Sequence, residues 1–278
     1  MDRFEELKNV IENKQIHYTS YNIKKRSGGN RRITTPNKFL KRVQQEILFD
    51  ILNFVKIDNH AMGFVQGRSI YTNAKKHLDS VCIIRIDLKD FFPSVKKEMI
   101  IKSLEGKVSA PHAIAEIVTV NNCLPQGAPT SPCISNIVCI ELDKKLTNLA
   151  VKFHARYTRY ADDITFSSKT NKQLDKIIPK AHSFILHQGF DINYKKLQIM
   201  RRGSRQMVTG LVVNDGINVP RTRVRNLRAE IHKKKYTGVT LDEQARLAGV
   251  TSFVYGANKE KGQKLYDDID KLQVIKRT

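Results

Sequence analysis

Three aspartates are the residues in this chain whose types and spacing best suit catalysis. Asp162 and Asp163 are adjacent in YTRYADDITFSS, where two β-prone arms flank a short turn. Neighbouring carboxylates repel each other and resist removal from water, so a folded protein must compensate their charge. A divalent cation compensates it directly, because Mg²⁺ prefers carboxylate and phosphate oxygens. A solvated turn is the alternative interpretation, since Asp is common in turns.

The third aspartate, Asp87, ends a segment of nearly continuous apolar residues, VCIIRIDL (81–88). This segment predicts a buried strand, and a charge at its end marks either an ordinary strand terminus or a site. Beside the Asp162-Asp163 hairpin, Asp87 would complete a carboxylate cluster able to hold two metal ions roughly 3.5–4 Å apart. Such a cluster suits in-line phosphoryl transfer, which depends on positioning and charge neutralisation.

The excess of basic residues predicts a polyanionic partner. The chain has 49 Lys and Arg against 27 Asp and Glu, a formal net charge of +22 and a pI near 9.9. Nucleic acid is the strongest candidate, because neutralised phosphates release counterions and supply non-specific affinity. An anionic membrane surface is the weaker alternative, since no segment joins a basic face to an aromatic-rich apolar face. A merely solvated basic surface is the third.

The composition is that of a globular protein with room for one large or two smaller domains. Of the 278 residues, 40% are hydrophobic and 27% are charged. The apolar runs are too short for a transmembrane span, and the N-terminus lacks the apolar core of a signal peptide. A cytoplasmic location without a membrane partner is therefore predicted. The four cysteines form no CxxC pair, which favours reduced thiols over a zinc site or disulfides.

Other elements must position the aspartates. A β-hairpin with a basic tip is predicted within residues 16–36, and a helical stretch over about 97–120. The segment NNCLPQGAPTSP is a loop dense in proline and glycine, after which Ser131 is expected to cap a helix. After about residue 214 the composition becomes helical and basic, which predicts a separate helical subdomain.

Five short segments resemble the boxes of reverse transcriptases, in the family's order and spacing over about residues 15–215. The most specific is the catalytic box, Tyr160-Ala161-Asp162-Asp163. The others are RRITTPNKFLKRVQQEIL (31–48) for the fingers, RIDLKDFFPSV (85–95) with the first catalytic aspartate, LPQGAPTSP (124–132) for the nucleotide pocket and GFDINYKK (189–196) with a lysine. Five boxes in order are specific, whereas a single box is weak.

Two further strings resemble signatures of retron-type reverse transcriptases, a bacterial group similar to the enzymes of group II introns. They are Asn73-Ala74-Lys75-Lys76-His77 and Val208-Thr209-Gly210. The first is also compatible with a helix turn capped by Asn, and the second with a strand residue before a close-packed glycine. Other bacterial lineages, from introns or from other defence systems, are therefore alternatives.

The resemblance implies an α/β (α+β) right-hand polymerase fold. Its expected divisions are fingers at 1–80 with part of 97–124, a palm with an antiparallel sheet at 81–213, and a helical thumb at 214–278. It also implies an RNA-directed DNA polymerase, a nucleotidyltransferase that copies a cognate structured RNA into single-stranded DNA from dNTPs. That RNA would be both template and primer. Retron membership would add a bacterial anti-phage role with an effector protein. A catalytically idle RNA-binding scaffold and an RNA-dependent RNA polymerase are the rival functions.

The resemblance also assigns the metal and the sugar gate. It implies that Asp87, Asp162, Asp163 and the carbonyl of Leu88 hold two Mg²⁺ ions, with Mn²⁺ as an alternative. Phe92 stands five residues after the first aspartate, where the family has a bulky steric gate. Its ring would clash with a ribose 2′-hydroxyl, the group that distinguishes RNA precursors from DNA precursors. An ordinary core phenylalanine is the competing interpretation.

The resemblance to the family's boxes also implies which residues contact the nucleotide. Gln126 and Gly127 would line the incoming nucleotide, with the glycine allowing close approach of the backbone. Arg31 and Arg32 would clamp the triphosphate, since arginine suits bidentate phosphate contact, unless they belong to a solvated hairpin. Lys196 would assist the leaving pyrophosphate.

Contacts to the nucleic acid are expected from the retron-like string and from the thumb. Basic helices would grip a primer–template duplex through its phosphates and shape rather than through its bases. A solvated helix face is the alternative. The predicted contacts are Asn73, His77, Arg221, Arg223, Arg225, Arg228, Lys233 and Lys234.

Overall fold

The N-terminal part of the chain combines helices with an exposed hairpin. The structure, a computed structural model, describes residues 3–24, 28–170 and 173–275. Its first elements are α1 (Arg3–Glu12), β1 (Tyr18–Lys24), β2 (Asn30–Pro36), α2 (Lys38–Asp50) and α3 (Ile70–Lys75). The antiparallel pairing of β1 with β2 confirms the predicted hairpin. Its basic tip falls partly on 25–27, outside the described residues.

The middle of the chain supplies a strand, a run of helices and then a second hairpin. These elements are β3 (Cys82–Asp87), α4 (Phe91–Ser94), α5 (Lys97–Leu104), α6 (Pro111–Val118), α7 (Ser131–Val138), α8 (Ile140–Lys152), β4 (Arg156–Tyr160) and β5 (Asp163–Ser168). The prediction of one helical stretch over about 97–120 was wrong. Gly106 adopts a φ of 70° after α5, and Pro111 begins α6, where its missing N–H costs no helical bond.

Ser131 does not cap α7, contrary to the sequence-based expectation. It is the first residue inside the helix, and Thr130 precedes it without a capping side-chain bond. The hydroxyl of Ser131 instead donates to the carbonyl oxygen of Pro125 at 2.8 Å. This bond holds the proline- and glycine-rich loop against the helix that follows it.

The last part of the chain is predominantly helical, as predicted. Its elements are α9 (Ile178–His187), β6 (Gln198–Arg201), β7 (Met207–Val208), β8 (Leu211–Val212), α10 (Arg221–Thr237), α11 (Leu241–Ala257) and α12 (Lys259–Asp270). Thr240 and Glu243 form a reciprocal capping box that begins α11. Over the described ranges, no helix is both long and apolar enough to cross a bilayer.

A four-stranded antiparallel sheet in the order β4-β5-β3-β6 is the centre of the fold. Side chains alternate across a strand, so the apolar run of β3 serves two cores. Ile84 and Ile86 pack with the apolar faces of α5–α9 on one side. Ile83 packs on the other side with α10, α11 and α12. Because β3 is buried from both sides, its carboxylate, Asp87, lies at the end of the strand.

Asn73 and His77 of the retron-like string lie in the interior, which contradicts the prediction that they contact nucleic acid, whereas Lys75 and Lys76 are exposed. Asn73 is 1% exposed and His77 is fully buried. The two ring nitrogens of His77 lie 2.7 Å from the hydroxyls of Ser167 and Thr158, on neighbouring strands. Side chains enclosed in this way do not reach a nucleic acid bound at the surface. The ring of His77 serves internal hydrogen bonding, whereas the buried side-chain amide of Asn73 has no hydrogen-bond partner among the described residues.

The burial of His77 predicts a pH-dependent loss of stability. Burial, reinforced by the nearby cations Arg156 and Lys76, lowers the pKa of His77 to about 3. The unfolded chain takes up a proton near the ordinary histidine pKa, whereas the folded chain takes it up only near the lowered pKa. The contribution of His77 to the free energy of unfolding is therefore complete above about pH 6.5. It decreases as the pH falls below that value, by about 2 kcal/mol at pH ~5.

The variant His77→Gln, which cannot titrate, measures this contribution. We expect its free energy of unfolding, from urea titrations at pH ~8 and ~5, to fall less with acidification than that of the wild type. His232→Gln, at an exposed position, is the matched control and should retain the wild-type slope. Equal slopes for wild type and His77→Gln would contradict a neutral buried imidazole.

Candidate active site

The three predicted aspartates converge where the central strands end. Asp87 is the last residue of β3 and stands opposite Asp163, the first residue of β5. Asp162 occupies the turn between β4 and β5, and its carbonyl oxygen accepts a bond from the backbone N–H of Leu88 at 2.9 Å. The turn requires a φ of 56° at Ala161, which a small side chain tolerates better than a large one. Local strand pairing therefore assembles the carboxylate cluster.

The negative charge of the cluster is only partly compensated by protein groups. Burial is the main cause that raises the pKa of Asp163 to about 7, while Arg85 opposes the shift. Arg85 Nε lies 3.1 Å from Asp163 Oδ2, and Asp163 Oδ1 is buried without a hydrogen-bond partner. Burial, and then Asp87, raise the pKa of Asp162. The site thus favours an additional positive charge.

Lys196 is placed where it neutralises the first aspartate. Its Nζ lies 2.9 and 3.0 Å from the two carboxylate oxygens of Asp87. A short 3-10 turn, Tyr194–Lys196, positions it, and the N–H of Asn193 bonds to the carbonyl of Asp87 at 2.8 Å. The lysine-bearing box therefore adjoins the cluster, as the resemblance implied.

The donor set fits a divalent cation by its chemistry. Carboxylate oxygens are the ligands that Mg²⁺ prefers, and the unpartnered Oδ1 of Asp163 is such an oxygen. In the described part of the chain, no three acidic, histidine or cysteine side chains are arranged as a preformed metal cage. A cation at Asp87 would replace the ammonium group of Lys196.

The hairpin and the glycine loop meet beside the aspartates. The N–H of Thr34, on β2, donates to the carbonyl of Gln126 at 2.9 Å. Gly127 has a φ of 138°, and a Cβ there would lie 2.9 Å from the carbonyl oxygen of Thr34. Only glycine fits both constraints. Arg31 is close enough to Asp162 to lower its pKa, whereas Arg32 lies within 3.5 Å of the Ser20 hydroxyl on β1.

Phe92 belongs to an aromatic group that reaches the aspartate turn. It is half-buried on α4, 5.5 Å from the ring of Phe91 and 6.2 Å from that of Phe64. Phe64 lies 6.5 Å from the ring of Tyr160 and is 49% exposed. Its φ of 62° is unusual for a bulky residue. Sequence reasoning missed Phe64, because a strained aromatic in a loop has no local signature.

A buried ion pair beneath the turn was also missed. Arg159 and Asp143 are both fully buried, with Arg159 Nε 2.8 Å from Asp143 Oδ1 and Nη2 2.7 Å from Oδ2. The hydroxyl of Tyr157 donates to the same carboxylate at 2.6 Å. The only sequence signal is an arginine inside an otherwise buried strand, and nothing local identifies its partner on α8.

This pair supports both sides of the site. Arg159 Nη1 donates to the carbonyl of Ala161 at 3.2 Å and to Asn136 Oδ1 at 3.1 Å. Asn136 Nδ2 donates in turn to the carbonyl of Gly63 at 2.9 Å, the residue before Phe64. The network therefore connects the aspartate turn to the aromatic group.

Comparison with known proteins identifies the family. Residues 23–250 match the family described as reverse transcriptase (RNA-dependent DNA polymerase). The chain is 35% identical to the retron Mx162 reverse transcriptase of Myxococcus xanthus, covering 92% of this chain and 61% of that protein. It is 32% identical to the retron Ec86 reverse transcriptase of Escherichia coli, covering 97% of this chain and 85% of that protein. The chain belongs to the retron-type reverse transcriptases.

A third similar protein, the retron Mx65 reverse transcriptase of Myxococcus xanthus, is 33% identical over 90% of this chain and 63% of its own length. This retron-type chain thus spans about three fifths of the length of its two Myxococcus xanthus relatives.

Solved structures confirm the predicted right-hand polymerase fold with its antiparallel sheet. An apo telomerase from Candida tropicalis superposes with a TM-score of 0.52 at 15% identity, over 73% of this chain and 54% of that one. A foamy viral protease–reverse transcriptase in complex with double-stranded DNA gives a TM-score of 0.51 at 15% identity, over 95% and 47%. At this identity the likeness concerns the fold of this retron-type chain alone.

The predicted basic contacts of this retron-type chain separate into two groups. Arg223 lies over the ring of Phe253, 4.2 Å from its centroid, and Lys234 bonds to Glu243 at 2.7 Å. Lys233 is exposed. The remaining predicted arginines line a groove of about 1230 Å³ with cations that sequence reasoning did not select: Arg221, Arg225 and Arg228 together with Arg202, Arg205 and Lys261.

Proposed function

We propose that this chain is an RNA-directed DNA polymerase that copies a cognate structured RNA into single-stranded DNA. The observation that carries the proposal is the convergence of Asp87, Asp162 and Asp163 at the end of the central strands. Membership of the retron-type family supports the choice of an RNA template. An idle scaffold is disfavoured, because crowded carboxylates that raise the pKa of Asp162 and Asp163 are typical of functional sites.

The three aspartates, with the Leu88 carbonyl, would hold two Mg²⁺ ions, and Mn²⁺ would satisfy the same oxygen donors. When bound, the ions supply charge stabilisation for the attacking 3′-hydroxyl and the leaving pyrophosphate. Lys196, once released from Asp87, would bind a phosphate of the leaving pyrophosphate. Each of these groups acts by positioning and charge rather than as a dedicated base.

The nucleotide would bind between the hairpin and the aspartates. Arg31 would bind the triphosphate, since it is the arginine of β2 that lies close to Asp162. Gln126 and Gly127 would line the sugar and base, in a loop that the missing side chain of Gly127 allows to pack closely against β2. Phe92, half-buried beside Phe91, would exclude a 2′-hydroxyl and so favour dNTPs.

The basic groove supports a nucleic-acid partner. Six cationic side chains around one cavity neutralise several phosphates at once, which gives affinity without reading bases. We assign the fingers to 1–80 with part of 97–124, the palm to 81–213 and the thumb to 214–278. The change to an all-helical segment, α10–α12, after β8 supports the last boundary. The wider setting we propose is a bacterial cytoplasmic anti-phage retron with an effector protein, which phage challenge of cells carrying the locus tests.

Sequencing of co-purified nucleic acid tests the proposed function. The protein would be expressed with its native flanking DNA, alongside the Asp162→Asn variant, and the bound nucleic acid would be treated with RNase or DNase. We expect a discrete RNA joined to a short single-stranded DNA, absent from the variant. Bound RNA without DNA in either sample would favour an idle scaffold. A newly made strand that resists DNase would contradict the role of Phe92.

A further inference from the structure

The short helix α3 contacts both halves of the molecule. On one side, His77, just after the helix, bonds to Thr158 on β4 and to Ser167 on β5 at 2.7 Å. These strands also present the aspartate turn. The carbonyl of His77 further accepts a bond from the Ser80 hydroxyl at 2.8 Å, just before β3. The C-terminal end of α3 is thus fixed to the sheet that carries the catalytic residues.

On its other side, α3 contacts α11. The hydroxyl of Tyr71 donates to the carbonyl of Phe253 at 3.1 Å, and the two rings lie 6.2 Å apart. Gly256 lies against the same ring, so that a Cβ at this position would be 2.6 Å from the Tyr71 hydroxyl oxygen. Ala74 is fully buried in the apolar cluster that also contains Val254. The absence of a side chain at Gly256 therefore leaves room for the ring of Tyr71 to pack against α11.

The turn between β7 and β8 completes the contact. Thr209 Oγ1 donates to the carbonyl of Ile70, the first residue of α3, at 3.1 Å. The turn needs positive φ angles of 47° at Thr209 and 81° at Gly210. The two strings that resemble retron signatures, 73–77 and 208–210, therefore meet at one helix. Neither string faces a nucleic-acid surface through its buried members.

We propose that α3 is a joint that fixes the position of the helical subdomain α10–α12 relative to the catalytic aspartates. Tyr71 and Gly256 act as positioning residues, because they determine where α11 stands over the sheet. The effect on a primer–template duplex rests on the proposed function, since α10–α12 would grip that duplex. The joint itself rests only on the contacts of α3.

Two glycines of α11 provide a matched pair for the test. Gly256→Ala inserts a methyl group into the space that the ring of Tyr71 occupies. Either the ring or α11 must then move, and the contact between them is lost. Gly249→Ala makes the same chemical change in the same helix, but no atom lies within 4 Å of the added Cβ. Any effect of helix propensity is shared by the two variants, and only the contact with α3 differs.

The measurement is the affinity of the full-length protein for a fluorescent RNA–DNA primer–template, with the rate of a single dNTP addition at saturating duplex. For Gly256→Ala we expect the Kd for the duplex to rise on the order of tenfold and the DNA made in one binding event to become shorter. The rate of single-nucleotide addition should remain within about twofold of the wild-type rate. Gly249→Ala should match the wild type in all three. If Gly256→Ala fails to fold, Tyr71→Phe, which removes only the hydroxyl bond, should raise Kd in the same direction.

The outcomes separate the joint from the proposed function. A wild-type Kd and product length for a folded Gly256→Ala would overturn the joint, as would equal defects in both glycine variants. Absence of dNTP addition by the wild type would contradict the proposed function alone, because duplex affinity needs no turnover and still tests the joint. A loss of single-addition rate without a change in Kd would place the effect at the aspartates and contradict the positioning role.

Discussion

Replacing Asp162 by asparagine is expected to reduce dNTP incorporation on the order of 10³-fold. The amide keeps the size of the side chain but removes a charge that lies beside Asp87 in the cleft. The charge stabilisation that the cluster supplies to phosphoryl transfer then falls. Folding should be preserved, because burial and Asp87 already raise the pKa of Asp162, so the neutral amide relieves repulsion. Primer extension with saturating dNTPs and Mg²⁺ measures the loss.

Asp79→Asn is the matched control for this prediction. Asp79 is 65% exposed and forms a single 3.4 Å contact with Lys169, so the same change there should leave incorporation near the wild-type rate. Circular dichroism of both variants checks that the fold is intact. If Asp162→Asn retained more than about a tenth of the activity, the assignment of the catalytic centre would be wrong.

Removal of Asp143 is expected to produce the largest loss of stability. Arg159 would remain fully buried with no opposite charge, and breaking a buried pair in this way costs about 3–5 kcal/mol. Urea unfolding of Asp143→Ala at neutral pH measures the change. On the same helix, Glu141 forms an exposed pair with Lys144, so Glu141→Ala should cost less than about 1 kcal/mol. Similar losses for the two variants would contradict the uncompensated charge.

A double variant separates stability from positioning. Asp143→Leu with Arg159→Met replaces the pair by apolar side chains, which is often nearly neutral for stability. The carbonyl of Ala161 nevertheless loses its donor from Arg159. We therefore expect unfolding free energy to recover while nucleotide incorporation stays reduced. Recovery of both would show that the network stabilises the fold without supporting the turn.

The aspartates were predictable because their surroundings are local in sequence. The hairpin that contains Asp162 and Asp163 is one continuous segment, and Asp87 ends an unmistakable apolar strand. Antiparallel pairing then brings the segments together without any long-range information beyond the sheet. The fold class followed from the same ordered boxes.

Residues whose role depends on distant partners were not predictable. Asn73 and His77 were expected to contact nucleic acid because their string resembles a retron signature, yet the partners of His77 lie in the interior, 81 and 90 residues away in sequence. Arg159 likewise needs Asp143 on another element. The break at Gly106 was missed because apolar periodicity continues on both sides of it.

The backbone hydrogen bond between Thr34 and Gln126 couples the β1–β2 hairpin to the glycine loop. The described residues of the β1–β2 hairpin are largely exposed, and the backbone bond from Thr34 to the glycine loop lies near the base. Gly127 packs directly against the carbonyl of Thr34, so the hairpin and the glycine loop are in close contact there. A displacement of the hairpin is therefore expected to displace the loop that carries Gln126 and Gly127, which we propose as the lining of the nucleotide site.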